Sequence, residues 1–138
     1  YPQAFFVTGG TKRVDDKLKQ VLNVDELQIL EQLVALFDVE KVYQESSLTR
    51  TELAQELKIS EGLLSRLVSA HYNKSVPQLI NSYRVQDAAA LIAQTDAAIK
   101  DIAEEAGFSS IATFNRVFKD ITGKSPSAHR KDSSHIIH

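Results

Sequence analysis

The sequence predicts an all-α protein: two helix-turn-helix subdomains joined by a long connecting helix and preceded by an amphipathic helix. Three observations lead there. Apolar residues recur three and four apart from Val24 onward, the spacing of one helix face. Only five glycines and three prolines punctuate 138 residues, fewer turn formers than a sheet protein of this size usually carries. A helix–turn–helix pattern also occurs twice between residues 49 and 125.

With 43% hydrophobic residues and 16 basic against 18 acidic side chains, the chain fits one globular domain, or two very small ones sharing a spine. It has no cysteine, which excludes a disulfide framework, a thiolate zinc site and a cysteine nucleophile and suits the cytosol. No run approaches the roughly 18 apolar residues of a membrane span, so this stretch reads as soluble. The chain has no methionine and opens at Tyr1, which reads as a piece cut from a longer protein. No basic region followed by an apolar stretch marks a signal peptide.

Residues 1–23 read as a linker or extended arm. Phe5, Phe6 and Val7 suit a short strand or an arm packed on the body. Thr8-Gly9-Gly10-Thr11-Lys12 has the composition of a phosphate loop, but its adjacent glycines lack the GxGxxG or GxxxxGK[ST] spacing, which favours a plain linker. From Val24 to Tyr43 the pattern is an acidic amphipathic helix with Leu27, Leu30, Val34, Phe37 and Val42 inward. Asn23 is its expected N-cap, and Asp25 and Glu26 complement the positive end of the helix dipole.

The first helix-turn-helix spans about 49–72. Thr49-Arg50-Thr51-Glu52 is a capping box opening a short helix through Leu57. Ser60 caps the next helix, with Leu63, Leu64, Leu67 and Val68 inward. Ser75-Val76-Pro77-Gln78 opens the connecting helix, about 76–94, since proline is tolerated in a first turn. The second helix-turn-helix spans about 98–122. Thr95 or Asp96 is expected to cap its first helix, closed by Gly107 in a left-handed conformation. Ser109 is expected to start the second, with Phe114, Val117, Phe118 and Ile121 inward and Gly123 ending it. Ser125-Pro126 caps a last short helix, and 132–138 reads as a frayed tail, leaving 24–131 as the folded domain.

The two copies align residue by residue. Leu53 to Ser60 lies over Ile102 to Ser109 at an offset of 49; Leu64-Ser65-Arg66-Leu67-Val68 lies over Phe114-Asn115-Arg116-Val117-Phe118 at 50. Asn73-Lys74-Ser75 then lies over Gly123-Lys124-Ser125. Each copy is a short helix, a tight turn and a second helix with an arginine two residues past an apolar anchor. A helix about 10–12 Å across fits the major groove, where its N-terminal side chains meet base edges. Two such helices reading one face of DNA must stand about 34 Å apart. The 19 residues from Val76 to Gln94 give about 28 Å of helix, enough with the adjoining turns.

Residues 49–131 resemble the DNA-binding half of AraC/XylS-type transcription regulators. The resemblance rests most on Ile102-Ala103-Glu104-Glu105-Ala106-Gly107-Phe108-Ser109-Ser110, on Phe114-Asn115-Arg116-Val117-Phe118-Lys119 and on Gly123-Lys124-Ser125-Pro126. Residues 24–48 resemble the helical preamble of the same half. Asn73 stands where glycine is frequent, Val68 where phenylalanine is, and His129 where tyrosine is usual; these are packing changes. The resemblance implies a sequence-specific transcription regulator that inserts two helices into adjacent major-groove segments of double-stranded DNA. It further implies RNA polymerase as a partner, a sensing part outside this piece through which dimers form, and no cofactor. The expected location is the cytoplasm. In a subset that the preamble and the Phe-Asn-Arg-Val-Phe-Lys stretch resemble, membrane-spanning segments are joined to this half, and Tyr1 to Lys12 would then be a juxtamembrane connector.

Opposite the inward face of the second reading helix stand Ser109, Ala112, Arg116 and Lys119, with Thr113 and Asn115 on the flanks. By resemblance, base contacts fall on Ile111, Ala112, Thr113, Asn115 and Arg116, and in the first copy on Gly62, Ser65 and Arg66. Arginine suits guanine because its fork donates to O6 and N7 together; Asn115 suits adenine, and Thr113 or Ile111 a thymine methyl. Gly62 offers a base no side chain, so the first copy is expected to act mainly as a clamp. The expected phosphate holders are Lys58, Lys74, Lys119, Lys124 and Arg130, with the helix starts at Ser60, Ser109, Ser110 and Ser125. Each basic residue competes with the ordinary reading of a solvated surface charge. Arg84 reads as structural, and Phe108, Phe114 and Phe118 as core rather than base-stacking groups.

A net charge of −2 argues against a nucleic-acid binder, since phosphate neutralisation supplies much of the affinity. Division of the chain eases the objection: residues 1–46 carry 5 basic and 8 acidic side chains, residues 47–138 carry 11 and 10. An enzyme would need converging groups, and no Ser-His-Asp arrangement or carboxylate pair emerges from the spacing. The histidines are His71, His129, His135 and His138; the last two, three apart, lack an evident third metal ligand. The alternative function is a helical protein-interaction module built on the acidic helix, without DNA binding.

Overall fold

A computed structural model describes residues 24–137, and every regular element among them is helical. The helices are α1 (Val24–Asp38), α2 (Arg50–Leu57), α3 (Glu61–Tyr72), α4 (Val76–Gln94), α5 (Ile99–Glu105), α6 (Ile111–Thr122) and α7 (Pro126–Ile137), with a short 3-10 turn at Val42–Gln44. The Phe5–Val7 and Thr8–Lys12 segments, the Asn23 cap, His138 and the His135 side chain lie outside the described residues. The described residues divide into two compact units, one of residues 24–42 and 48–79, the other of 43–47 and 80–137.

In the first unit α1 packs on α2 and α2 on α3. α1 buries Leu30, Leu33, Val34, Leu36 and Phe37, a wider stripe than the spacing predicts, while Leu27 is half-buried. The α2 capping box forms as expected: the Glu52 N–H donates to Thr49 Oγ1 and the Thr49 N–H to Glu52 Oε1. Ser60 caps α3 by accepting from the Leu63 N–H, and α3 buries Leu64, Leu67 and Val68, with Leu63 only half-buried. Ser75 and Gln78 form a second capping box at the start of α4.

The first helix does not reach Tyr43. It stops at Asp38, and Lys41 takes a left-handed φ of 53° before the 3-10 turn. Tertiary contacts override the periodicity here. In the second unit Tyr43 is buried, its hydroxyl donates to Asp87 Oδ2 at 2.8 Å, and its carbonyl accepts from Arg84 Nε at 2.7 Å. Arg84 Nη2 also donates to the Glu45 carbonyl, and its guanidinium lies 5.9 Å from the Phe108 ring centre. Arg84 is thus structural, as expected, and burial lowers its pKa below the ordinary arginine value.

The second unit packs α5 on α6 and α6 on α7. Its core joins Val85, Ala88 and Ile92 of α4 to Ile102, Ala103, Ala106, Phe108, Phe114, Val117 and Phe118. The three phenylalanines stack in series, with centroids 5.0 and 5.4 Å apart, which makes them core groups as predicted. His129 continues the series 5.5 Å from Phe118, and its Nε2 lies 3.2 Å from the Ala89 carbonyl. It packs where the resemblance leads one to expect tyrosine.

Four sequence expectations change here. Ile121 is 48% exposed rather than inward, because the seam of α6 ends at Phe118. α5 has Ala98 as N-cap without a side-chain bond; Thr95 instead donates its hydroxyl back to the Leu91 carbonyl. α6 is capped by Ser110, which accepts from the Thr113 N–H, not by Ser109. α7 continues to Ile137, with Asp132 paired to Lys124 and the Ser133 hydroxyl donating to the His129 carbonyl, where the sequence reads as frayed.

Candidate nucleic-acid interface

The two copies share their turn chemistry. Lys58 and Gly107 end the first helices with positive φ of 58° and 111°, and Asn73 and Gly123 end the second with 56° and 84°. Asparagine tolerates this region, whereas lysine sits there at a steric cost. Gly107 is required by more than its torsion. A Cβ there would stand 2.4 Å from the Tyr43 carbonyl oxygen and 2.8 Å from Arg84 Nε. Gly62 and Gly123 face no such neighbour.

In the second copy, α6 sets the buried Phe114, Val117 and Phe118 against an exposed set of Ile111, Ala112, Thr113, Asn115, Arg116 and Lys119. The set begins in the first turn, where the Ser110 cap leaves the serine O–H available as a donor. Ile111 is 44% exposed, an apolar group held in water at a helix start. Arg116 has Asp120 on its own helix at 3.9 Å, both side chains well exposed, a pair worth little in solution. Ser109 is exposed beside the cap.

In the first copy the polar face of α3 is engaged by other side chains. Ser65 is half-buried and accepts from Arg50 Nη1 at 3.2 Å, while Arg50 Nε pairs with Glu61 at 3.1 Å. Arg66 pairs through Nη2 with Glu26 of α1. Gly62 is exposed with nothing within 4 Å of an added Cβ, so packing does not demand it. Arg50, Ser65, Lys74, Ser75 and Gln78 line one open notch.

Lys58, Lys74 and Lys119 are exposed, and no ion pair to them occurs among the described residues. Ser60 and Ser125 are exposed N-caps, Ser125 accepting from the Ala128 N–H. Lys124 is paired with Asp132. Arg130 is committed elsewhere: its Nε donates to the Ile92 carbonyl and its Nη2 to the Thr95 carbonyl, so it caps the end of α4. Sequence reasoning missed Arg50 and Glu26, because neither the capping box nor the helix dipole indicates a partner on α3. Among the described residues no cluster of three metal-ligating side chains occurs, and no helix is long and apolar enough to cross a membrane.

A helix-turn-helix domain family model matches residues 53–132. A HTH-type transcriptional regulator of Staphylococcus aureus is 32% identical over 118 residues, which are 86% of this chain and 14% of that protein. The chain thus spans about 14% of the length of such curated relatives. Among solved structures, the C-terminal domain of AraT, a response regulator from Geobacillus stearothermophilus, is similar with a TM-score of 0.69 and 30% identity, covering 75% of this chain and 84% of that one. The DNA-binding domain of AdpA, a global transcriptional factor solved with a target DNA, shares the fold at TM-score 0.65 and 21% identity, covering 78% and 90%.

Proposed function

This chain belongs to the AraC-type family of helix-turn-helix DNA-binding domains, and we propose that it is the sequence-reading part of a transcription regulator, inserting α3 and α6 into adjacent major-groove segments. The family's members are DNA-binding regulators and not enzymes. One observation carries the proposal: α6 is split between a phenylalanine seam and an exposed face of the residue types that read bases. Ile111, Ala112, Thr113, Asn115 and Arg116 are its base contacts. Lys119 and the Ser109–Ser110 helix start hold phosphates. In the first copy Arg66 and Ser65 approach bases, while Lys58, Ser60 and Lys74 hold the backbone; in the second, Lys124 and Ser125 at the start of α7 hold it as well. Arg130 is left out because its donors are spent on α4.

The division of labour is unequal. Gly62 removes one reader from α3, and Ser65 is held by Arg50, so the first copy acts chiefly as a clamp and the second chiefly as the reader. RNA polymerase contact, a sensing part, dimerisation and any membrane anchor belong to the longer protein this domain would serve in the cytoplasm.

The test is selection of sites from a randomised duplex pool, then an electrophoretic shift competed by the selected site and by random duplex. Two protected groove segments about one helical turn apart are expected. No shift at low salt would favour a protein-interaction module instead.

A further inference from the structure

Arg66 and Arg116 hold equivalent places in the two copies, yet their acids differ in kind. Arg116 has Asp120 on its own helix at 3.9 Å, with side chains 67% and 69% exposed. Arg66 is held from another helix: Glu26 comes from the first turn of α1, and its side chain is only 14% exposed against 51% for Arg66. The carboxylate is mostly covered and the guanidinium side chain half-exposed.

We propose that Glu26 is a positioning residue that sets Arg66 for base recognition, an inference that rests on reading Arg66 as a DNA contact. A guanidinium is a rigid plane of five N–H donors. Glu26 takes a bond from Nη2, which fixes the direction of the plane and leaves other N–H groups to donate outward. Guanine recognition needs two donors aligned in one plane. A long side chain fixed beforehand loses less freedom on binding. The acceptor is itself fixed, since α1 packs on α2 and α2 on α3. Parting Arg66 from a carboxylate so little exposed forfeits a charge-assisted hydrogen bond, so DNA binding is expected to add to the pair rather than displace it. The acidic α1, which as a sequence suggested an outside protein partner, thereby acts within the domain.

The experiment selects sites with the wild-type chain, then measures single-base-pair preferences for R66A, E26A, E26Q and the E26A/R66A double variant, with helicity checked by circular dichroism. R66A is expected to relax preference at one base pair of the first half-site about tenfold. E26A is expected to relax the same base pair several-fold and leave those read by α6 unchanged. E26Q, which keeps an oxygen acceptor, is expected to retain more preference than E26A and decides the matter should E26A lose helicity. The double variant is expected to be no worse than R66A. Tighter binding by E26A with preference intact would make Glu26 a competitor of DNA and overturn the inference. So would equal weakening on selected and random duplex in both the wild-type and R66A backgrounds, which is a structural effect. An unchanged preference in R66A removes Arg66 from readout, and Glu26 with it. A wild-type chain that enriches no site sinks the DNA reading as a whole.

Discussion

Alanine at three glycines gives effects of different sign and size from one chemical change. Gly62 lies within α3 with nothing within 4 Å of an added Cβ, so Gly62→Ala is expected to stabilise by about 0.5–1 kcal/mol through helix propensity alone. Gly123 has φ +84° and equally open surroundings, so Gly123→Ala carries only left-handed strain, about 1–2 kcal/mol. Gly107 has φ +111°, and its new methyl would meet the Tyr43 carbonyl oxygen at 2.4 Å, Arg84 Nε at 2.8 Å and Gln44 Cα at 3.2 Å. Two of those atoms are the acceptor and donor of the Arg84–Tyr43 hydrogen bond. Displacing a hydrogen bond to a charged group adds about 1.5–3 kcal/mol to the backbone strain. Gly107→Ala is therefore expected to cost about 3–5 kcal/mol, a large share of the stability of a small domain. Urea unfolding followed at 222 nm measures all three. Gly107 and Gly123 belong to the same unit, so their comparison is direct. A Gly107→Ala cost within about 1 kcal/mol of that of Gly123→Ala would show that the Tyr43–Glu45 segment yields freely, and the close-approach reasoning would fail.

Lys58→Gly is expected to stabilise by about 1 kcal/mol, because Lys58 sits at φ 58° where glycine carries no Cβ strain; a lowered melting temperature would count against this. Ser110→Ala is expected to cost about 1 kcal/mol as the loss of an N-cap, and Ser109→Ala well under half of that. Thermal melts of the pair decide which serine caps α6. Arg116→Ala is expected to cost about 1–3 kcal/mol of discrimination between the selected site and its single-base variants, measured by titration. Equal weakening on selected and random duplex would move Arg116 to a phosphate role.

Much of the architecture was legible because local signals and tertiary demands agree. Thr49/Glu52, Ser60, Ser75/Gln78 and Ser125 all act as caps where the sequence places them. The repeat placed both turns, and Gly107 and Gly123 take the expected left-handed conformation. Failures fall where long-range contacts decide. The end of α1 is set by Tyr43 and its partners Arg84 and Asp87, more than 40 positions away, which no periodicity encodes. Arg130 looks like a surface cation until the end of α4 supplies two carbonyls for it. The exposed face of α6 followed from 100° arithmetic, since one amphipathic helix defines its own outside. The α3 face did not follow, because Glu26 and Arg50 reach it from other helices.

Those two reaches also bear on how a chain of net charge −2 can hold DNA. Residues 47–138 carry 11 basic side chains, but Arg84 and Arg130 are spent on carbonyls, and Arg50, Arg66 and Lys124 face acids. On the candidate faces that leaves Lys58, Lys74 and Lys119, with Arg116 beside a loose Asp120. Each neutralised phosphate adds about −0.9 to the slope of log K against log salt, so about four cations give a slope near −3.5. Helix-start amides and serine hydroxyls hold phosphates without releasing many counterions and do not steepen it. The domain is therefore expected to bind random duplex weakly and to owe its preference for a site chiefly to base contacts, which salt weakens less than phosphate contacts. Titration on selected and random duplex across a salt series measures both slopes. A slope of about −6 or steeper would mean that the paired arginines and Lys124 leave their acids on binding DNA, and that the ion pairs of the first copy do not persist in the complex.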